Sequence, residues 1–388
     1  MPEGSLIFPR AEFEGRIKAL QSKMVEHGQD ALLLTQPADV FYTTGFLTRF
    51  WESPARPWFI VVPQAGEPVA VIPSIGRILM GRTWISRIET WDAPDPEDDG
   101  ISCLAEVLSG FVRPGGTIGV PMGLETHLRM PLADWSALTA KLDGRNIGDA
   151  TETLQRVREI KSPAEVEKIC EACRIADRAF QRVPEIVRDA PQLDAVFRGF
   201  QAALLEEGAD WVSYVAGGAG QGGYGDVISP ASSERLRSGD VLMLDTGAVK
   251  DGYFCDFDRN FSIGPISPDV ARAQEGLFDA TEDILAMLSP GMVASDVHGL
   301  FTNALSKRGF KDAGGRLGHG LGVTLTEWPS FTSKDRTPLR EGMVLTLEPS
   351  ALVAGDRMLV HEENILLTSD GAELLSRRAP RDMTEILL

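Results

Sequence analysis

The sequence predicts an α+β protein of two domains, in which the C-terminal domain contains an internal repeat. The repeat is visible in two apolar segments of similar sequence, residues 239–245 and 342–348. Each segment follows two stretches that have the apolar spacing of amphipathic helices. Because two copies are too few for a solenoid, this self-similarity favours a pseudo-twofold domain built from two helix–helix–hairpin halves.

The first part of the chain alternates predicted helices with short apolar strands, which favours a smaller α/β domain. Residues 10–28 have the spacing of an amphipathic helix that ends at Gly28. We place the domain boundary near residue 155, so the predicted domains are residues 1–155 and 156–388. Apolar runs predict strands at residues 31–35, 58–63, 68–73 and 118–120.

The helices of the two repeats are marked at their ends. Ser162-Pro163 and Ser267-Pro268 each supply an N-cap residue followed by proline at the first helical position. Gly208 and Gly309 are expected to end the second helix of each repeat. The glycine-rich segment 215–226 lacks the Gly-Lys-Ser/Thr ending of a phosphate-binding loop. It is predicted to be a mobile or close-packed loop that lines the functional site, since glycine lets the backbone approach a ligand.

Composition excludes several classes of function. The 388 residues carry a formal net charge of −18, which argues against nucleic acid and anionic membranes as partners. No apolar run reaches the roughly 18 residues of a membrane span, and no signal peptide is recognisable, so we expect neither. The four cysteines are too few for a disulfide framework, and a cytoplasmic location is expected.

The first predicted hairpin carries two acidic residues among apolar ones. Asp245 ends an apolar run, an Asp-Gly turn follows at residues 251–252, and Asp256 lies in the next run. Acidic residues are disfavoured in strands and costly to bury, so this pair needs a partner, and a divalent cation is the favoured one. Exposed acids on a surface hairpin are the alternative.

Three further residues extend the candidate metal site. Glu348 ends the apolar run of the second repeat, Glu362 lies downstream, and His319 is flanked by glycines. A hydrogen-bonded core histidine is the alternative for His319. With Asp245 and Asp256 they supply four carboxylates and one imidazole, a set that suits Mn²⁺, Fe²⁺, Co²⁺ or Zn²⁺ and whose charge two such ions would cancel. Two divalent ions can hold a bridging hydroxide for hydrolysis.

The order and spacing of these residues resemble the creatinase/prolidase/aminopeptidase P family, whose catalytic domain has the pita-bread fold. Asp245 lies in Leu-Asp-Thr-Gly, Asp256 in Cys-Asp-Phe-Asp-Arg, and His319 in Gly-His-Gly-Leu-Gly. Glu348 lies in Thr-Leu-Glu-Pro and Glu362 in His-Glu-Glu-Asn. The resemblance covers almost the whole chain, including a creatinase-like N-terminal domain.

The resemblance also implies roles and partners. Asp245 would bind one metal ion, Asp256 and Glu362 would bridge two ions, and His319 and Glu348 would bind the second ion. The resemblance further implies a homodimer in which the partner's first domain borders the active site. Trp51, Arg56 and Trp58 are candidates for that contact, with burial in their own domain as the alternative.

The chain departs from the family at two histidines. Thr326 stands where the peptidases have a second histidine, seven residues after the metal-binding one, and residues 226–230 contain none where a further histidine is expected. Proton transfer must then involve other residues. Strand alternation puts Asp258 on the same face as Asp256. It puts His361 and Glu363 on the face opposite Glu362. The candidates, with the first choice first, are Glu363, His361, Asp258, Glu327 and Tyr224.

The expected function is metal-dependent hydrolysis of a C–N bond in a small dipeptide-like or compatible-solute substrate, through a metal-bridging hydroxide, as in Xaa-Pro dipeptidases. Three alternatives remain open. These are a lyase acting on a solute such as a sulfonium propionate, a ring-opening hydrolase of ectoine type, and a non-catalytic binding protein on the same scaffold.

Overall fold

The computed structural model describes residues 7–52 and 57–388. The chain divides after Arg158 into two compact units. Within the described ranges, no helix combines the length and apolar character needed to cross a bilayer.

The first unit is a six-stranded mixed sheet with helices packed against it. The strand order is β4-β3-β2-β1-β5-β6, and strands β1, β2 and β3 are buried along their whole length. The apolar runs predicted as strands therefore form this sheet. In chain order the elements are α1 (Arg10–Glu26), β1 (Ala31–Leu34), α2 (Pro37–Thr44), β2 (Phe59–Pro63), β3 (Val69–Pro73), α3 (Arg77–Met80), β4 (Arg87–Trp91), α4 (Ile101–Phe111), β5 (Thr117–Val120), α5 (Leu132–Lys141), β6 (Asn146–Asp149) and α6 (Thr151–Arg158).

Two of the three residues proposed to reach a neighbouring site pack inside the first unit. Trp51 and Trp58 form an edge-on ring pair with centroids 5.7 Å apart, and both contact Phe46. Trp58 is buried. Arg56 lies outside the described residues.

The second unit contains two copies of the predicted order, a pair of helices followed by a sheet. The first sheet has the order β18-β10-β8-β7, with β9 paired to β8, and the second has the order β12-β11-β13-β16-β17. The elements are α7 (Pro163–Asp189), α8 (Leu193–Glu206), β7 (Trp211–Gln221), β8 (Asp240–Lys250), β9 (Tyr253–Phe254), β10 (Phe257–Ile263), α9 (Pro268–Met287), α10 (Ala294–Lys307), β11 (His319–Gly320), β12 (Glu327–Ser330), β13 (Val344–Leu347), β14 (Ser350–Ala354), β15 (Arg357–Val360), β16 (Glu363–Thr368), β17 (Gly371–Leu374) and β18 (Thr384–Ile386).

The predicted helix ends are confirmed. Ser162 Oγ accepts from the Glu165 amide at 3.2 Å, while Glu165 accepts in return from the Ser162 amide at 3.0 Å, which is a capping box. Ser267 Oγ accepts from the Val270 amide in the same way. Gly208 and Gly309 follow their helices with φ of 114° and 82°, values that are strained for residues with a Cβ.

The predicted Asp-Gly hairpin is also confirmed. Lys250 pairs with Tyr253, and the two residues between them have positive φ, 51° at Asp251 and 82° at Gly252, as a type I′ turn requires. The second hairpin differs from the expectation. β13 pairs with β16, while β14 and β15 form a separate two-stranded ribbon inserted between them.

The prediction of a loop at residues 215–226 is wrong for residues 215–221. Residues through Gln221 form strand β7, which pairs with β8. The glycines serve close packing here, because a Cβ on Gly217 would lie 2.1 Å from the Met243 carbonyl oxygen and one on Gly218 would lie 2.7 Å from the Asp226 carbonyl oxygen. The strand can therefore lie against its neighbours only with glycine at these positions.

We predict that Gly217→Ala lowers the free energy of unfolding. Gly217 has φ +146° and no room for a Cβ. The backbone strain alone should cost about 1–3 kcal/mol, with the clash added to it. Gly299→Ala is the matched control, since nothing lies within 4 Å of its Cβ position in α10. It should keep or raise stability. Equal denaturant midpoints for both variants would contradict this account.

Candidate metal centre

Asp256, His319 and Glu362 form a buried cluster in the second unit. One ligand atom from each lies within 4.8 Å of the others. Asp256 directly precedes β10 in the first sheet, whereas His319 begins β11 and Glu362 directly precedes β16 in the second. The two repeats thus meet at these three side chains, although the residues are far apart in sequence.

Asn364 holds the backbone of Asp256 in place. Its Oδ1 accepts from the Asp256 amide at 3.0 Å, and its Nδ2 donates to the Asp256 carbonyl oxygen. Asn364 lies in β16, two residues after Glu362, so one short segment carries a candidate ligand and the anchor of another. No sequence pattern pointed to Asn364.

The imidazole of His319 is fixed in one orientation. Its Nδ1 lies 2.7 Å from the Gly320 carbonyl oxygen, which can only accept, so Nδ1 carries the proton. In the neutral imidazole Nε2 therefore presents the lone pair, at 3.2 Å from Asp256 Oδ2 and 3.7 Å from Glu348 Oε2. This tautomer is the one that a histidine metal ligand requires.

Asp245 joins the cluster through Tyr214. The Tyr214 hydroxyl lies 2.9 Å from Asp245 Oδ1 and also hydrogen-bonds to Asp256 Oδ1. Tyr214 lies in β7 beside β8, which carries Asp245. No sequence pattern pointed to Tyr214, because the pairing of β7 with β8 places it at the site and the segment that follows it was predicted to be a loop.

Glu348 is held from the other side by an arginine. Arg316 Nε lies 3.1 Å from Glu348 Oε1, and Arg316 Nη2 donates to Thr326 Oγ1 at 3.1 Å. Thr326, the residue at the position of the family's second histidine, is therefore an acceptor for this arginine. The contact leaves Glu348 Oε2 directed towards His319.

The acidic groups of the site strongly disfavour one another's charge. Burial, followed by the charge of Asp256, raises the pKa of both Asp245 and Glu362 well above the ordinary carboxyl value. Burial also raises the pKa of Glu348, against the opposing effect of His319 and Arg316. Burial by itself would lower the pKa of His319, but Asp256 and Glu348 outweigh it and raise that pKa.

These residues fit a divalent metal. His319 Nε2 and Glu362 Oε1 are buried and have no hydrogen-bond partner in the described part of the chain. Unsatisfied buried lone pairs are costly unless something binds them. Four carboxylates and one imidazole are a ligand set for Mn²⁺, Fe²⁺, Co²⁺ or Zn²⁺, and cations would relieve the repulsion that raises the carboxyl pKa values.

Asp258 is the one residue of the five proton-transfer candidates that lines the cavity beside this cluster. The cavity has a volume of about 280 Å³ and is also lined by Asp245, Glu348 and Glu362. Asp258 pairs with Asp245 across strands β10 and β8 and is buried. Its burial raises the pKa of the Asp258 carboxyl to about 7.

Glu363 and His361 lie in an ion-pair network instead. Glu363 accepts from Arg259 Nη2 at 3.0 Å and from Arg378 Nη1 at 2.9 Å, and Arg378 Nη1 also contacts His361 Nε2. Burial opposes ionisation of Glu363, but Arg259 outweighs it and lowers the pKa of that carboxyl. Burial lowers the pKa of His361 to about 3. Neither residue lines the cavity.

Glu327 and Tyr224 also have internal partners. Glu327 accepts from Lys161 Nζ at 2.9 Å and from the Val323 amide at 3.0 Å. The Tyr224 hydroxyl lies 3.2 Å from Asn260 Oδ1 and accepts from the Val360 amide. Neither side chain lines the cavity beside the cluster.

Fold and site together define an enzyme of the pita-bread class with a candidate metal centre between its two repeats. The model of metallopeptidase family M24 matches residues 167–369, and that of the creatinase/prolidase N-terminal domain matches residues 16–160. The chain belongs to metallopeptidase family M24.

Several relatives share the whole architecture. The chain is 27% identical to "Probable dipeptidase PepE" of Mycobacterium tuberculosis, over 95% of this chain and 96% of that protein. It is 27% identical to "Xaa-Pro dipeptidase" of Pyrococcus horikoshii, over 93% and 97%. The crystal structure of dipeptidase PepE from Mycobacterium ulcerans superposes with a TM-score of 0.84 at 26% identity, covering 98% of this chain and all of that one.

We predict that Asp256→Asn lowers the metal content of the protein. The change keeps the side-chain size but removes the charge and one ligand oxygen from the cluster. Mass spectrometry after loading with Mn²⁺ should find near two ions per wild-type chain and at least one fewer in the variant. The exposed Asp370→Asn is the charge-matched control and should bind metal as the wild type does. Unchanged metal content in Asp256→Asn would remove Asp256 from the site.

We also predict that stabilisation by Mn²⁺ grows with pH. Without metal, Asp245 and Glu362 bind protons more tightly in the folded than in the unfolded chain. Their contribution to stability is complete below the ordinary carboxyl pKa of about 4 and is lost as pH rises through the raised pKa. Metal replaces those protons. The difference in Tm between Mn²⁺ and EDTA samples should therefore increase from about pH 5 to about pH 8.

The control for this pH experiment is Glu362→Gln, which removes one of the two titrating carboxyls. Its Mn²⁺-dependent gain in Tm should be smaller and should change less with pH. A wild-type gain that is constant across the range would contradict the assignment of these carboxyls as ligands.

Proposed function

We propose that this enzyme hydrolyses a C–N bond in small dipeptides, with Xaa-Pro dipeptides as the first candidate substrates. The observation that carries the proposal is the buried cluster of Asp256, His319 and Glu362, in which His319 Nε2 and Glu362 Oε1 have no hydrogen-bond partner among the described residues. The full-length similarity to proteins named dipeptidase and Xaa-Pro dipeptidase supports the same substrate class.

Five residues would hold two divalent ions in this proposal. They are Asp245, Asp256, His319, Glu348 and Glu362. Divalent ions held there would lower the pKa of a water molecule and polarise the scissile carbonyl group.

The chain's own residues set the geometry around the reacting atoms. Tyr214 fixes the oxygen atoms of Asp245 and Asp256 that face it, and Asn364 fixes the backbone of Asp256. Arg316 occupies Glu348 Oε1, so Glu348 Oε2 is the atom left to hold an ion beside His319. Glu348 is partly exposed to the cavity, where it would lie next to substrate.

Thr326 supports a second candidate function. The absence of a histidine at this position removes a group that the peptidases use on their substrate. A lyase on a sulfonium propionate or a ring-opening hydrolase of ectoine type does not need that group in the same place. The product separates these activities, because a lyase releases an alkene whereas hydrolysis adds water.

Further properties belong to the same proposal. The family resemblance supports manganese among the possible metals and a homodimer as the assembly. The cysteine content and the net charge of −18 support a cytoplasmic location and argue against nucleic-acid or membrane partners.

We predict that the Mn²⁺-loaded protein cleaves Xaa-Pro dipeptides to free amino acids. A panel of Xaa-Pro dipeptides, other dipeptides, ectoine and a sulfonium propionate would be followed by NMR. Activity should fall by at least about 100-fold in His319→Ala, since a metal ligand is lost. The exposed Asp370→Asn should retain activity. An alkene product from the sulfonium compound, with no dipeptide cleavage, would instead favour the lyase.

A further inference from the structure

Two charged side chains that are not proposed metal ligands line the cavity beside the metal centre. Among the described residues that line it, Arg316 is the single basic side chain, and Asp258 is the single acidic one outside the proposed ligand set. Two divalent ions would cancel the charge of the four ligand carboxylates. Arg316 and the ionised form of Asp258 would then remain as one positive and one negative charge lining the same cavity.

Asp258 lines this cavity and has a carboxylate oxygen without a donor among the described residues. The residue is 2% exposed, and its Oδ1 has no hydrogen-bond partner in the described part of the chain. Its Oδ2 has a long contact of 3.4 Å with Asn260 Nδ2. A buried carboxylate oxygen without a donor is costly, and a ligand that brings an N–H group removes that cost.

Asp258 borders the same cavity as the proposed metal ligands. It is opposite Asp245 in the pairing of β10 with β8, and both carboxylates line that cavity. It is not one of the five residues proposed to hold metal, and its position would let it meet a substrate held at the metal centre.

Arg316 offers a donor for the opposite end of a ligand. Its Nε and Nη2 atoms contact Glu348 and Thr326, and within the described ranges its Nη1 is left without a hydrogen-bond acceptor. The side chain is 35% exposed, so this nitrogen can be reached from the cavity. A guanidinium group binds a carboxylate strongly and with defined geometry.

We propose that the cavity binds a small dipolar substrate, with Asp258 accepting a hydrogen bond from its ammonium group and Arg316 donating to its carboxylate. This inference rests on the proposed function and specifies the substrate as a dipeptide with both ends free. It replaces the proton-transfer role predicted for Asp258 with a binding role. A cavity of about 280 Å³ is at the small end for ligand sites, which suits a dipeptide better than a longer peptide.

The chemistry also selects against a sulfonium solute. A sulfonium group carries positive charge but has no N–H, so it would leave Asp258 Oδ1 without a hydrogen bond. An amino terminus supplies three donors.

The test compares three probes on the Mn²⁺-loaded full chain. Ala-Pro has both charges, N-acetyl-Ala-Pro lacks the cation, and Ala-prolinamide lacks the anion. If the wild type cleaves Ala-Pro, kcat and KM are measured for each probe. If it cleaves none, the proposed function fails, and the unconsumed probes are titrated calorimetrically, so that the binding assignment is still tested.

The wild type should favour Ala-Pro over each of the other two probes by at least about 10-fold in KM or Kd. In Asp258→Asn the preference over N-acetyl-Ala-Pro should fall towards 1, while the preference over Ala-prolinamide and the Mn²⁺ content remain. In Arg316→Gln the preference over Ala-prolinamide should be lost, while the preference over N-acetyl-Ala-Pro remains. Asp370→Asn should leave both preferences unchanged.

Three results would overturn the assignment. The first is a wild type that binds all three probes equally. The second is a variant that loses both preferences together, as general damage to the site would cause. The third is a lower Mn²⁺ content in Asp258→Asn, which would make Asp258 a metal ligand instead.

Discussion

Mutual repulsion among buried carboxylates is the constraint on which the second unit depends. Asp245, Asp256 and Glu362 lie so close together that burial and each other's charge hold the pKa of Asp245 and of Glu362 far above normal. Such an arrangement is unfavourable by itself and persists only if the surrounding structure fixes it and a cation compensates it. The two repeats supply the first condition, and the unsatisfied atoms His319 Nε2 and Glu362 Oε1 indicate the second.

The groups that hold the cluster in place act through backbone and hydroxyl contacts that add no charge. Asn364 holds the Asp256 peptide, the Gly320 carbonyl sets the His319 tautomer, and Tyr214 contacts two carboxylates at once. Arg316 is different, because it brings positive charge to Glu348 from the cavity side. The contacts to Asp256, His319 and Asp245 therefore come from neutral groups, whereas Arg316 brings positive charge from the cavity side.

A second network of charged side chains contacts the Glu362–Glu363 segment, on the face opposite the metal centre. Arg259 donates to the Glu362 carbonyl oxygen at 2.8 Å and to the Glu363 carboxylate at 3.0 Å, and Arg378 binds the same carboxylate. Because Glu363 has basic partners, the pKa of its carboxyl is lowered although the residue is fully buried. Adjacent residues in one strand thus have opposite electrostatic environments, because alternation directs them to opposite faces.

The sequence by itself determined the features that depend on neighbours along the chain. The Ser162 and Ser267 caps, the Asp251-Gly252 turn and the repeat of apolar segments follow local rules, and the order of acids and histidine led to the family and to the cluster of Asp256, His319 and Glu362. The tertiary structure alone decided what depends on contacts between distant segments. Pairing of β7 with β8 brought Tyr214 to the carboxylates and made a glycine-rich stretch a strand, since glycine at 217 permits the close approach. Glu363, the first-choice catalytic candidate, is paired with Arg259, although the two residues lie more than one hundred positions apart in the sequence. Local sequence patterns cannot encode such pairings, because the partners become neighbours only when the two sheets assemble.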